Sequence, residues 1–161
     1  MTRHLISIPR GPEDLAGLEA LLREYALTLS VNLGFQNFDD ELEQLPGEYA
    51  EPRGALVAVW VDGQLAGCCA LRPLDSADYP MACEIKRLFI RPAFRGIGLG
   101  RQLAELMLDT ARAKGYASVL LDTLSDMEAA RALYEDLGFL EIPRYYDNPI
   151  AGANYLMARI E

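Results

Sequence analysis

The run Cys83–Leu108, CEIKRLFIRPAFRGIGLGRQLAELML, decides how this chain folds. It opens with Ile85-Lys86-Arg87-Leu88-Phe89-Ile90, an apolar strand-like segment, and turns at Arg91-Pro92. Beyond Arg95-Gly96-Ile97-Gly98-Leu99-Gly100, the residues Leu99, Leu103, Leu106 and Met107 recur at helical spacing. A strand that enters a helix through closely spaced glycines leaves the helix's first backbone N–H groups free. With the positive end of the helix dipole they form a seat for phosphate.

The glycine spacing narrows the kind of seat. A Walker A loop ends in Gly-Lys-Ser/Thr, which this run lacks. A dinucleotide fingerprint counted from Gly96 and Gly98 needs a third glycine where Arg101 stands. What remains is R-x-x-G-x-G, in which Arg95 leads Gly98 and Gly100 after a Leu-Phe-Ile strand. That pattern resembles the acetyl-CoA loop of the GNAT N-acetyltransferase superfamily. Downstream, Leu133-Tyr134-Glu135-Asp136-Leu137-Gly138-Phe139 is similar to the L-Y-x-x-x-G-F signature of the same superfamily.

Composition agrees with an intracellular globular domain. The 161 residues suit one domain, 1–161, with a core of ordinary size. No apolar run approaches membrane-spanning length, and Met1-Thr2-Arg3-His4 opens a short strand-like segment rather than a signal peptide. Cys68, Cys69 and Cys83 lack zinc-site spacing and cannot all pair, so a reducing cytoplasm is the simplest setting and small core residues their simplest role. A net charge of −9 argues against nucleic-acid binding and suits a cationic or amine substrate. His4 is the only histidine, which argues against a Ser–His or Cys–His hydrolase.

Taken in order, residues 3–9 read as an edge strand, and Pro12-Glu13-Asp14 starts a helix carrying Leu15, Leu18, Leu22, Tyr25 and Leu29. Phe35, Phe38, Leu42 and Leu45 suggest a short second helix, which caps the core or lines a substrate site. Residues 54–61 and 64–71 form a hairpin across Asp62-Gly63, and 72–81 read as a surface loop. The central helix ends at Lys114-Gly115; residues 117–122 read as a buried strand of the parallel-sheet kind. A helix through Ala129, Ala130, Leu133 and Leu137, capped by Ser125 or Asp126, precedes two last strands at 139–142 and 155–160. The order predicts a mixed α+β or α/β sheet with helices on both faces. The resemblance sharpens this to a GNAT-like, mostly antiparallel sheet with a V-shaped splay.

The resemblance also implies chemistry: direct transfer of an acetyl group from acetyl-CoA to the primary amine of a small molecule, without a metal. A protein amine as acceptor, or an acyl-CoA-binding module without turnover, are the alternatives. It implies that the backbone of Arg95, Gly96, Ile97, Gly98, Leu99 and Gly100 holds the pyrophosphate, with Arg101 adding charge or lying in solvent. Leu88, Phe89 and Ile90 lie along the pantetheine arm, beside a β-bulge that opens a cleft. Tyr134 donates a proton to the departing thiolate or only packs its helix. Glu84, with Asp122 second, is the candidate general base, unless the acceptor amine has a low pKa and needs none. Tyr145, Tyr146 and Asn148 either floor the acceptor pocket or form an ordinary packed turn. Met127 stands where many relatives carry an asparagine that contacts pantetheine, and Glu135 and Asp136 lack the basic character common there. A homodimer is the assembly such proteins often adopt; neither nucleic acid nor membrane is implied.

Overall fold

The computed structural model describes residues 3–29, 37–76, 78–124, 128–146 and 153–160. Strand β1 (His4–Ser7) leads to α1 (Pro12–Thr28), whose first turn holds Pro12, Glu13 and Asp14, as a helix N-terminus favours. Its inner face buries Leu18, Leu21 and Leu22. Helix α2 (Phe38–Glu43) follows and buries Phe38 and Leu42. A single 3-10 turn at Gly47–Tyr49 then leads into β2 (Ala55–Val61) and β3 (Gln64–Leu74). Asp62 and Gly63 between them have φ of 50° and 83°, the left-handed pair that a two-residue hairpin turn requires.

The second half comprises β4 (Ala82–Ile90), α3 (Leu99–Ala113), β5 (Ser118–Leu124), α4 (Glu128–Asp136), β6 (Leu140–Ile142) and β7 (Ala153–Arg159). The strands form one sheet in the order β1-β2-β3-β4-β5-β7-β6. Every pairing is antiparallel except β4 with β5. The α/β fold is therefore the mixed, mostly antiparallel sheet expected, with helices on both faces. One apolar layer lies under α3 and α4 and holds Leu99, Leu103, Met107, Leu121, Tyr134 and Phe139. The other lies under α1 and α2 and holds Leu18, Leu22, Phe38, Tyr49 and Phe89.

Two boundaries differ from the sequence reading. Residues 72–74, read as the start of a loop, continue β3, where Arg72 pairs with Glu84 and Pro73 with Cys83. Proline is tolerated there because β2 ends at the Ala55–Leu71 pair, so β3 has a free edge beyond it. Strand β5, read as parallel, is parallel only to β4 over Ser118–Leu120 and antiparallel to β7 along its whole length. The predicted cap at Ser125 or Asp126 lies outside the described residues, as does Phe35. Among the described residues no helix is long and apolar enough to cross a membrane.

Candidate acyl-transfer site

Strand β4 builds the site by changing its own alternation. Phe89 pairs with Cys68 but Lys86 pairs with Ala70, so Arg87 and Leu88 together stand opposite Cys69. This is a β-bulge, and Arg87 occupies it at φ 61°, a left-handed conformation uncommon for a residue with a side chain. Before the bulge Cys83 and Ile85 face α3 while Glu84 and Lys86 face α1 and α2; after it Ile90 faces α3 and Phe89 faces α1. The strained turn is clamped on both sides. Glu41 of α2 accepts two hydrogen bonds from the Arg87 guanidinium, each of 2.9 Å, and the guanidinium lies 5.0 Å over the Phe38 ring. The Cys68 thiol, held protonated by burial that pushes its pKa up to about 12, donates to the Arg87 carbonyl at 3.4 Å.

The bulge has a partner feature across the sheet. Strands β4 and β5 pair only from Ala82–Ser118 to Glu84–Leu120, although both run on, to Ile90 and Leu124. Beyond Glu84 they part, and among the described residues no strand pairs with the backbone edges that face the gap. This is the V-shaped splay. The buried polar side chains of the described residues, Glu84, Lys86, Arg87 and Thr123, all lie on these two strands. Burying charge opposes stability unless it is compensated, so its concentration here marks a site rather than a core.

On the α1/α2 face the compensation is visible. Glu84, 1% exposed, accepts from Arg72 Nε at 2.8 Å and from the Tyr145 hydroxyl at 2.5 Å. Asp122 accepts from the Tyr146 hydroxyl at 2.6 Å and lies 3.7 Å from Lys86 Nζ. Burial pushes the Lys86 amine below its ordinary value, while Glu84 and Asp122 pull it back up. Burial, reinforced by Glu84 and Asp122, holds the Tyr145 phenol protonated, and the same holds for Tyr146 with Asp122. The rings of Tyr145, Tyr146 and Tyr155 pack edge to face or tilted, with centroids 5.4–5.7 Å apart. The structure thus brings Glu84, Asp122, Tyr145 and Tyr146 together. Asn148 and Met127 lie outside the described residues.

On the other face, Tyr134 projects from α4 into the layer under α3, its ring 5.5 Å from Phe139. Burial raises its phenol far above the ordinary tyrosine value, and Cys69, Tyr25 and Asp122 act in the same direction. Tyr25 and Asp122 belong to the opposite face, so the Tyr134 hydroxyl senses both faces where the strands part. Thr123 is buried, and among the described residues its hydroxyl has no hydrogen-bond partner. An orphaned hydroxyl carries a desolvation cost of about 1–3 kcal/mol. Thr123→Val is therefore expected to raise stability by about 1 kcal/mol, or the melting temperature by roughly 2–4 °C. A fall on thermal denaturation would show that the hydroxyl is satisfied.

The glycine loop completes the arrangement at the mouth of the splay. Gly96 and Gly98 take φ of 87° and 84°, and a Cβ at either would meet nothing within 4 Å. Glycine is needed there for conformation rather than for space. The first α3 hydrogen bond runs from Gln102 N–H to Gly98 O, which leaves the amides of the first turn pointing outward. Arg95 plays a different part from its neighbours. Its amide bonds to Pro92 O, and its guanidinium donates to Ile90 O at 2.8 Å and lies 5.8 Å over Phe89. It braces the end of β4 against the loop. Arg101 is tied to α4 by an ion pair with Asp136, so its charge is already answered. Leu88 is half-buried and packs beside the α3 layer with Ile90.

The residues that sequence reasoning passed over are Arg72, Lys86, Arg87, Glu41 and Thr123. A signal existed for two of them: Lys86 and Arg87 interrupt an otherwise apolar strand, and charge inside a buried strand calls for a reason.

The profile of the GNAT acetyltransferase family matches residues 18–139, a span that holds β4, the splay, the glycine loop and Tyr134. An uncharacterized N-acetyltransferase of Schizosaccharomyces pombe, C1271.07c, is 38% identical over 152 residues, covering 94% of this chain and 91% of that protein. The N-alpha-acetyltransferase RimI of Mycobacterium tuberculosis is 34% identical over 116 residues, covering 70% of each. The structure of yncA from Salmonella typhimurium, solved with its cofactor acetyl-CoA, superposes with a TM-score of 0.75 at 17% identity, covering 99% of this chain and 95% of that one. The family match spans most of the chain and takes in the bulged β4, the strand pair that opens past Glu84 and the glycine-led helix at its mouth, and the chain belongs to the GNAT acetyltransferase family.

Proposed function

We propose that this protein moves the acetyl group of acetyl-CoA directly onto a primary amine. The observation that carries the reading is the splay itself: a gap between β4 and β5 with a protonated phenol on one face and, on the other, the buried carboxylate of Glu84 beside the partly buried one of Asp122. Acetyl-CoA is the donor that fits. The outward amides of Ile97 to Arg101, at the positive end of α3, suit its pyrophosphate. The unpaired backbone edges of β4 and β5 suit the amide-bearing pantetheine arm, and the orphaned Thr123 hydroxyl offers it a further polar contact.

The amine nitrogen attacks the thioester carbon, the C–S bond breaks, and a proton must leave nitrogen while another reaches sulfur. A β4 N–H past the bulge takes the charge that develops on the acyl oxygen. Tyr134 supplies the proton to sulfur. Glu84 receives the amine proton through the Tyr145 hydroxyl or an intervening water, with Asp122 held in reserve by Lys86 and Tyr146. The work is substantial, because an alkyl amine of pKa ~10.4 is mostly protonated at pH 7 and its deprotonation costs about 4.6 kcal/mol.

A small-molecule amine is the first acceptor class. The likeness to RimI, an N-alpha-acetyltransferase, favours a second, the amino terminus of a protein. Thiol release from acetyl-CoA, measured with a panel of small amines and peptides and followed by mass spectrometry of the products, separates them. Tight CoA binding with no acceptor-dependent thiol release would instead leave an acyl-CoA-binding module.

A further inference from the structure

The chain carries a net charge of −9, yet among the described residues the carboxylates on the α1/α2 face of the splay already have partners. Glu84 is answered by Arg72 and Tyr145, Asp122 by Lys86 and Tyr146, and Glu41 by both arms of Arg87. Glu24, on α1, is paired with Arg91. A polyamine entering here would bring ammonium groups to carboxylates that already have partners, and its further charges would lose water without replacement. The overall acidity of the chain therefore does not describe the acceptor side.

What this face does offer is donors. Tyr49 is 2% exposed, and among the described residues its buried hydroxyl has no partner within ordinary hydrogen-bond distance. Arg87, Glu41 and Arg72 are the groups that act on it, Glu41 as a weak acceptor as well as a charge, but both Glu41 oxygens already take a hydrogen bond of 2.9 Å from Arg87. Arg72 spans the buried and the exposed: its Nε holds Glu84, while its Nη1 bonds at 2.9 Å to Glu48, whose side chain is 69% exposed. An exposed ion pair of that kind contributes only about 0–1 kcal/mol, so a competing carboxylate can replace Glu48 at little cost. The replacement gains a guanidinium that is partly sheltered and a phenol with a hydrogen to donate.

We infer that the acetyl acceptor carries its own carboxylate beside its amine, as a free α-amino acid does, and that Arg72 and the Tyr49 hydroxyl hold that carboxylate. The spacing supports an α-amine rather than a distant one. Arg72 touches Glu84 at 2.8 Å, so a carboxylate on Arg72 sets an amine one carbon away beside the base. This rests on the acetyl-transfer reading and deepens it, since a polypeptide amino terminus has no carboxylate at that position.

The experiment compares kcat/KM for free amino acids with the α-amides and decarboxylated amines of the same side chains, with spermidine and an amino-terminal peptide alongside. At least one free amino acid is expected to exceed its amide by tenfold or more. The comparison is conservative, because the amide has the less basic amine and would react faster if recognition were absent. Tyr49→Phe is expected to lower the acid-to-amide ratio severalfold, and Glu48→Gln to raise it by freeing Arg72. Equal ratios, faster peptide or polyamine acetylation, or thiol release with none of the amino acids overturns the inference while leaving acetyl-CoA chemistry intact. Failure of the wild-type protein to bind acetyl-CoA at all strikes the underlying reading instead, so the two failures are distinguishable.

Discussion

Replacing Tyr134 by phenylalanine is expected to lower kcat by about a hundredfold or more, with the dissociation constant for acetyl-CoA changed by less than about twofold. The substitution removes one oxygen and keeps the ring that packs edge to face on Phe139, so the core under α3 is left whole. The backbone role of the residue is also untouched: its carbonyl accepts from the amides of Leu137 and Phe139 where α4 ends. On the proposed mechanism, what is lost is the proton for the leaving sulfur. At first sight the raised pKa of this phenol makes it a poor acid for a thiolate whose parent thiol titrates near 8.5 in water. The proposed mechanism requires the environment to move both partners together: burial pushes the Cys68 and Cys83 thiols of this same sheet up to about 12, and a thiolate that leaves away from water is expected to be more basic for the same reason. Because the phenol is protonated up to pH values well above neutral, Tyr134 should impose no loss of kcat between pH 7 and about 9. If the variant turned over at the wild-type rate, Tyr134 would be a packing residue only.

The reach of the sequence can be judged from particular residues. The hairpin at Asp62-Gly63, the glycine loop and the inner face of α3 were legible because their signals are local: a turn dipeptide, positive-φ positions and a helical period. The family-level expectations of a bulge by Leu88–Ile90 and of a splay were met, with the bulge at Arg87 and Leu88, but the residue that takes it and the point where the splay begins were not readable. The bulge sits at Arg87 because Phe89 pairs with Cys68 and because Glu41, far away in the chain, waits to bind its side chain. Past Leu120 strand β5 keeps only its pairing with β7, which is the last strand in sequence yet lies inside the sheet, so the start of the splay depends on contacts distant in the chain. Arg72 was hidden by its neighbour: Pro73 reads as a loop residue, and only the short reach of β2 makes it acceptable in β3. The acidic composition pointed to a cationic acceptor, but composition counts charges without their partners. The carboxylates around the splay are nearly all paired with Arg, Lys or Tyr.

Removing Glu41 tests whether that distant pairing holds the site open. Arg87 has a side chain only 4% exposed, and Glu41 is the carboxylate that bonds it through both arms. With Glu41→Ala the guanidinium stays buried without its counter-charge, a change that typically costs about 3–5 kcal/mol. For a chain of this size the melting temperature should fall by on the order of 10 °C. The neighbouring pair is the control. Asp39, also on α2, meets Arg23 at 3.3 Å in solvent, and Asp39→Ala should change stability by less than about 1 kcal/mol. The loss in Glu41→Ala arises from the stranded cation, so Glu41→Ala combined with Arg87→Met should recover much of it, as buried ion pairs replaced by apolar side chains often do. Function should not recover with it. Arg87 holds a left-handed conformation that a methionine has no clamp to maintain, and the change of facing between Lys86 and Phe89 depends on that conformation. The double variant is therefore expected to be nearly as stable as the wild type yet to bind acetyl-CoA at least several times more weakly, although neither residue lies in the glycine loop. Wild-type affinity in a stable double variant would mean that β4 keeps its bulge through its pairing with β3 alone, and that α2 adds stability without shaping the cleft.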